Sequence, residues 1–247
     1  MGPGMSTLLL KLAAPLQSWG SASRHERRKT RHEPTKSAVI GLIAAAQGRR
    51  RTDQIEDLLD LRFGVRIDQP GVLVKDFQTA HMSSATGEDE TTPIISTKHY
   101  VSDAVFVVGL ESDTALLEGI AESLLHPAFP LFLGRRSCAP SGKLVLGIID
   151  KHLVPAIRNH PWEASLWYRK RELAGAQKLE FIRDQLPDEL LDRPRESVQD
   201  VPHSFSQEHR KYGWRDVIHD DPVIVNNSDG RSQPSLVHDP LSALGDD

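Results

Sequence analysis

A single cysteine, Cys138, stands among the 247 residues, which excludes an internal disulfide framework and fits a reducing compartment. Long apolar runs are missing as well. No stretch reaches the roughly 18 residues that a membrane-spanning helix needs, and the N-terminal apolar run is too short and lacks the cleavage site of a signal peptide. A cytoplasmic protein with no membrane contact is therefore expected. The 11 histidines are scattered, with no cysteine partners and no HExxH spacing, so no structural or catalytic metal is predicted. There is no phosphate-binding P-loop and no GxSxG elbow, which argues against nucleotide hydrolysis and serine-hydrolase chemistry; no cofactor is expected. Nor is there a global excess of positive charge. A formal net charge of −4 and a pI near 6.3 argue against a protein that coats nucleic acid over its whole surface.

What is present is asymmetric. Apolar residues make up 38% of the chain, enough to bury a real core in one large domain or two modest ones. Residues 24–51 carry nine Lys/Arg against two Glu, about +7 inside an acidic chain. Charge that dense repels itself and must be offset by a polyanion or by acidic neighbours, and nucleic acid is the first candidate. Residues 216–247 carry seven Asp against one Arg, about −6, with Pro, Ser, Asn and Gly scattered among them. From residue 227 onward a disordered acidic tail is expected, because too little apolar surface is left to offset the entropy of ordering it.

Residues 7–13 read as a buried strand stopped by Pro15. Pro34 and Thr35 open a helix in which Val39, Ile40, Ile43 and Ala46 recur at helical spacing, with Gly48 as its C-terminal cap. A short second helix is predicted over residues 53–60. Phe63, Val65 and Ile67 then alternate with Arg62, Gly64 and Arg66, the pattern of a half-buried strand with two guanidiniums on its outer face. Gln69, Pro70 and Gly71 turn this strand into a partner over residues 72–80. Residues 81–97 are polar and turn-rich and predict a protruding hairpin tip, since a connection of that length is usually functional or disordered. A strand resumes over 100–110, and Asp113 caps a helix with Leu116, Leu117, Ile120 and Leu124 on one face, ended by Pro127 and Pro130. Residues 143–149 supply a final strand.

That order predicts an α+β protein. Residues 5–150 are expected to form a ferredoxin-like βαββαβ domain with a protruding hairpin tip at 81–97. RNA-binding versions of such a sheet hold single strands on the open face or in the loops around it. Residues 151–226, with strand candidates at 179–182 and 223–225, predict a smaller, mainly β module. Its Trp162, Trp167 and Tyr168 read either as core or as an interface with another subunit.

Four segments carry a family resemblance: LLLKLAAPLQSWG (8–20), PTKSAVIGLIAAAQG (34–48), KHYVSDAVFVVGL (98–110) and PLFLGRRSC (130–138). In this order they resemble the CasD family, subunits of the type I-E CRISPR surveillance complex Cascade. The resemblance covers most of residues 8–149, with a weaker echo in DVPHSF and HRKYGWRDV. It implies a RAMP-type fold that grips the 5′ handle of the CRISPR RNA and caps one end of the complex in antiviral defence, without cutting. The implied partners are that handle, the Cascade backbone subunits, the large subunit and, through the complex, target DNA. The tip at 81–97 matches the family's thumb, which wedges between the guide and the neighbouring backbone subunit. The handle contacts implied by the resemblance are Gln17, Ser18, Trp19, Arg27, Thr35, Lys36, Ser37, Gly134, Arg135 and Arg136.

The residue chemistry independently suits a single strand, whose phosphates are held by Arg and Lys and whose unstacked bases rest on aromatic or guanidinium planes. Each feature also has a plainer reading. Trp19 is a base platform or core packing; residues 24–31 face RNA or solvent. Lys36 and Ser37 at a helix start attract phosphate, or the start is simply capped by Thr35. Residues 134–137 contact RNA or form a surface turn. Lys98, His99 and Tyr100 match residue types that perform metal-free RNA cleavage in a related branch, where proton transfer at a 2′-hydroxyl needs an acid and a base. The adopted reading is that Tyr100 packs while Lys98 and His99 touch phosphate. The alternative function is a metal-independent endoribonuclease that processes CRISPR repeat RNA, and a third reading is an adaptor that contacts only proteins.

Overall fold

The computed structural model describes residues 4–20, 27–28, 30–80, 94–186, 189, 195–206 and 208–232. The chain begins with strand β1 (Met5–Ala13) and four two-residue strands, β2 (Leu16–Gln17), β3 (Trp19–Gly20), β4 (Arg27–Arg28) and β5 (Thr30–Arg31). Helix α1 (Lys36–Ala46) precedes β6 (Arg62–Gln69), β7 (Val72–Ala80), β8 (Ile94–Ser102) and β9 (Val105–Asp113). Then come α2 (Thr114–Leu125), β10 (Val145–Ile149), the short helices α3 (Leu153–Arg158) and α4 (Leu166–Arg171), and strands β11 (Gly175–Asp184), β12 (Arg195–Ser204) and β13 (Lys211–Asn227). The result is a mixed α/β structure dominated by antiparallel sheet.

Seven strands form the main sheet in the order β10, β1, β9, β6, β11, β13, β12, with antiparallel ladders throughout. Its central strands are apolar on both faces because both faces are covered. Leu8, Leu10 and Leu12 of β1 and Phe106, Val108 and Leu110 of β9 join Val39, Ile40 and Ile43 of α1 and Leu117 and Ile120 of α2 in one core. Leu9 and Val107 point the other way, into a second core with Leu153 and Ile157 of α3 and Phe181 of β11. Burying each such side chain stabilises the fold by about 1.5–3 kcal/mol. Gly64 and Gly109, directly paired across β6 and β9, make room for α3: a Cβ on Gly109 would sit 2.7 Å from both Ile157 and Leu153.

The helix starts are as the sequence predicts. Thr35 accepts a hydrogen bond from Ala38 N and Asp113 accepts one from Leu116 N, each satisfying a first-turn N–H. The expected helix at 53–60 is a single 3₁₀ turn, Glu56–Leu58, too short to bury a face of its own. The outer face assigned to β6 is also corrected. Arg66 is wholly buried, because α3 and the loop after it close over that side of the strand.

The predicted pairing of β6 with the strand after it does not form. Gly71 (φ 71°) and Asp103 (φ 55°) break the chain just as β7 and β8 leave the main sheet. β7 and β8 then pair with each other from Val72↔Ser102 to Ala80↔Ile94 as a separate ribbon, so the single strand expected over 100–110 is two strands. A Cβ on Gly71 would overlap the Ser102 carbonyl oxygen, which is why glycine holds the crossing. The sequence-predicted tip is a strand from Ile94 onward; residues 81–93 lie outside the described residues.

Residues 175–227 extend the same sheet, since β11 pairs with β6 through Phe181↔Arg66, Ile182↔Val65 and Arg183↔Gly64. The first residues of the predicted tail are held in place. Asn227 donates to the carbonyls of Arg169 and Leu173, Asp229 pairs with Arg169, and Arg231 N donates to Glu172 O. Residues 233–247 lie outside the described residues. Among the described residues no helix is long and apolar enough to cross a membrane.

Candidate functional site

Pro15 ends β1, and the chain then runs across three distant segments. β2 pairs with β8 through Gln17↔Val101, β3 pairs with β5 through Trp19↔Arg31, and β4 lies parallel to β8 with Arg27 opposite Thr97 and Arg28 opposite Lys98. Ser18 is the node. Its N–H donates to Leu133 O (3.1 Å), its hydroxyl to His99 O (3.4 Å), and Gly134 (φ 90°) packs against its carbonyl so closely that a Cβ there would overlap the oxygen. The loop beyond is closed by Leu133 N donating to Cys138 O (2.7 Å) and Cys138 N to Arg135 O (2.8 Å). The Arg135 guanidinium lies 4.5 Å from the centre of the Tyr100 ring, a cation–π contact that fixes its plane. Residues 17–20, 27–28, 30–31, 97–101 and 133–138 are thereby brought to one place.

The side chains nearest the centre of this assembly are its frame. Gln17 is buried and donates to Ala104 O (2.7 Å). Trp19 is 1% exposed and meets Phe106 edge to face, which places its ring in core packing. Its backbone N–H donates to the Thr30 hydroxyl (2.7 Å), a support that no local motif singles out. Gln17 Oε1, Trp19 Nε1 and His99 Nδ1 are buried without a hydrogen-bond partner among the described residues. Lys98 and Arg136 remain accessible, and Lys98 donates to Gln78 across the ribbon. Of Arg27 the structure describes the backbone strand alone.

The start of α1 is occupied from within. The Asp200 carboxylate of β12 accepts from Lys36 N (2.9 Å) and forms a two-point pair with Arg215 (2.6 and 2.8 Å). Lys36 is 6% exposed and turns its ammonium onto Asp184 (3.3 Å), which also accepts from Arg215 (2.5 Å) and from Phe63 N (3.0 Å). Burial alone would lower the pKa of Arg215, and the two carboxylates outweigh it and raise it. Lys36 thus makes an internal ion pair, and a carboxylate fills the place at the helix start. Thr35 is buried as the cap; Ser37 is partly exposed, its hydroxyl 3.3 Å from that of Thr35.

The cationic stretch is thus partly neutralised, by near neighbours and by residues from far along the chain. Arg31 pairs with Glu33 (2.7 Å) and Glu196 (3.1 Å), Lys36 with Asp184, and Arg49 with Asp57 (2.5 Å). Sequence distance hid these partners, because Asp184 and Glu196 reach residues 31–36 only through the sheet extension.

Lys98, His99 and Tyr100 are consecutive in β8, so Lys98 and Tyr100 share one face and His99 points to the other. Tyr100 is 5% exposed beneath Arg135. Among the described residues no group of three or more His, Cys, Asp or Glu could hold a metal ion.

A family model described as "CRISPR-associated protein (Cas_Cas5)" matches residues 7–218. The CRISPR system Cascade subunit CasD of Escherichia coli (strain K12) is 32% identical over 158 residues, 58% of this chain and 70% of that protein. A chain from a solved structure titled "CRISPR RNA-guided surveillance complex" superposes with a TM-score of 0.73 at 30% identity, covering 93% of this chain and 95% of the other. A chain titled "Crystal structure of Cas protein" gives 0.66 at 33% identity, with 92% and 99% covered.

Proposed function

The chain belongs to the Cas5 family of CRISPR-associated proteins, the family of the Cascade subunit CasD, and from that premise we propose that it is the non-catalytic subunit of a type I-E surveillance complex that holds the 5′ handle of the CRISPR RNA. The observation that carries this reading is the convergence on Ser18 of residues 97–101 and 133–138, the segments that carry Lys98, Arg135 and Arg136. In it, Arg27, Lys98, Arg135 and Arg136 meet phosphates or bases, with Ser37 and His99 beside them. Gln17, Ser18, Trp19, Thr35, Lys36 and Gly134 hold the backbone that presents them. The order β10, β1, β9, β6, with α1 and α2 packed on one face, supports a ferredoxin-like arrangement of residues 5–150. The β7–β8 ribbon serves as the base of a thumb toward the backbone subunits, and residues 151–226 act as a module that braces α1. The complex works in the cytoplasm, with the large subunit and target DNA reached through the assembly.

If about five phosphates are neutralised, log affinity for handle RNA should fall against log salt with a slope near about −3.5, from about −0.7 per contact on a single strand. Replacing Arg27, Lys98 and Arg136 together by Ala should flatten that slope by about 2, whereas Lys36→Met should leave it unchanged and lower thermal stability instead. A triple variant with the parental slope would refute the site. Repeat RNA incubated with the protein in EDTA should stay intact; cleavage that disappears in His99→Ala would favour the ribonuclease reading.

A further inference from the structure

The unpartnered atoms around Ser18, namely Gln17 Oε1, Trp19 Nε1 and His99 Nδ1, belong to one side of the same short ladder. Gln17 is paired directly with Val101, so those two side chains share a face of the β2–β8 pairing. Trp19, two residues after Gln17, and His99, two before Val101, fall on that face as well. The Ser18 hydroxyl, donating to His99 O, keeps the two segments together at that level. The inner side chains are also anchored over the start of β9. Gln17 Nε2 donates to Ala104 O (2.7 Å), and the Trp19 ring meets Phe106, two residues further on, with centroids 6.1 Å apart. Gln17 is 0% exposed and Trp19 1%.

Buried polar groups seldom go without a hydrogen bond, because each has given up its solvent partners on folding. The Ala104 carbonyl can only accept, so it holds the Gln17 amide with Nε2 toward it and leaves Oε1 as the free end. What must be satisfied is then one donor (Trp19 Nε1–H), one acceptor (Gln17 Oε1) and one ring nitrogen able to take either part. A cation would be repelled by the indole N–H, and an anion by the amide oxygen. The group that donates and accepts at once, and is small enough to lie beneath side chains this deeply buried, is water. Buried waters make about three hydrogen bonds each, to polar groups that would otherwise have none.

We propose that one ordered water is bound at this place, accepting from Trp19 Nε1 and donating to Gln17 Oε1 and His99 Nδ1. It ties β2, β3 and β8 together beneath Ser18. With Nδ1 as acceptor, the neutral His99 ring carries its proton on Nε2. This holds whether or not the loops above bind RNA. A high-resolution crystal structure of the full chain should show a single solvent peak within about 3.2 Å of all three atoms. No peak, a peak that touches only one of them, or an indole N–H that reaches a protein carbonyl instead would overturn the assignment. In solution, the Trp19 indole proton should give a nuclear Overhauser cross-peak to a water that exchanges more slowly than surface hydration, and the ring-nitrogen shifts of His99 should mark Nδ1 as unprotonated. A missing cross-peak, or a proton on Nδ1 of the neutral ring, would refute it. Neither measurement involves RNA, so failure here is separate from failure of the handle site.

Discussion

Gly134→Ala is expected to destabilise the protein by about 3–5 kcal/mol and lower its Tm by about 10 °C, far more than one methyl group ordinarily costs. The residue sits at φ 90°, where a side chain is strained, but that accounts for only about 1–3 kcal/mol. The rest comes from the Ser18 carbonyl, whose oxygen occupies the space a Cβ would need. Backbone lies on both sides of the clash, so relief requires the loop to separate from Ser18 and to break the hydrogen bond from Ser18 N to Leu133 O. Gly142→Ala is the control. Its φ of 73° is equally left-handed, but no atom lies within 4 Å of the added Cβ, so it should cost about 1 kcal/mol. Paired thermal melts of the two variants check the argument, and equal losses would show that the contact with Ser18 is not what constrains the loop. If the RNA reading is right, Gly134→Ala should also weaken handle binding at a temperature where the variant is still folded, because Arg135 and Arg136 would lose their placement.

The second large effect is expected at Arg66. All five of its N–H groups are used: two on Asp68 (2.6 and 2.8 Å), two on the carbonyls of Ile157 (2.8 Å) and His160 (2.7 Å), and one on Pro161 O (2.7 Å). Both side chains of the ion pair are fully buried. Arg66→Met should therefore destabilise by about 3–5 kcal/mol, since it leaves the Asp68 carboxylate with only the Glu163 N–H and three carbonyls without this donor. Arg66→Lys should recover little, because an ammonium has three donors and no fork to span a carboxylate. The double replacement Arg66→Met with Asp68→Leu should be less damaging than Arg66→Met alone, having removed the stranded charge. Limited proteolysis offers a second readout, with new cleavage in the loop at 158–165 that Arg66 ties to β6. A single variant with parental stability and an uncut loop would overturn this account.

Much of the fold was legible because local chemistry and tertiary demand agree. Leu8 to Leu10 and Val105 to Val108 are apolar without interruption, as strands covered on both faces must be. Thr35 and Asp113 cap the helices they were expected to cap. The alternation in β6 misled, because it was read as one wet face, whereas α3 comes from almost a hundred residues later to cover Arg66. Nothing near residues 62–69 reports that.

The candidate site divides in the same way. Composition alone located the cationic stretch, whereas Ser18 and Gly134 are named only through the family resemblance. Whether a given cation faces outward was decided by partners that the sheet brings in from elsewhere: Asp184 and Asp200 turn Lys36 inward, Glu196 takes Arg31, and Phe106 receives Trp19. Sequence determines which groups a chain carries and the periods at which they recur, since both are local properties. Only tertiary structure decides which charges are neutralised and which side chains stay wet, because pairing and burial depend on neighbours that are remote along the chain.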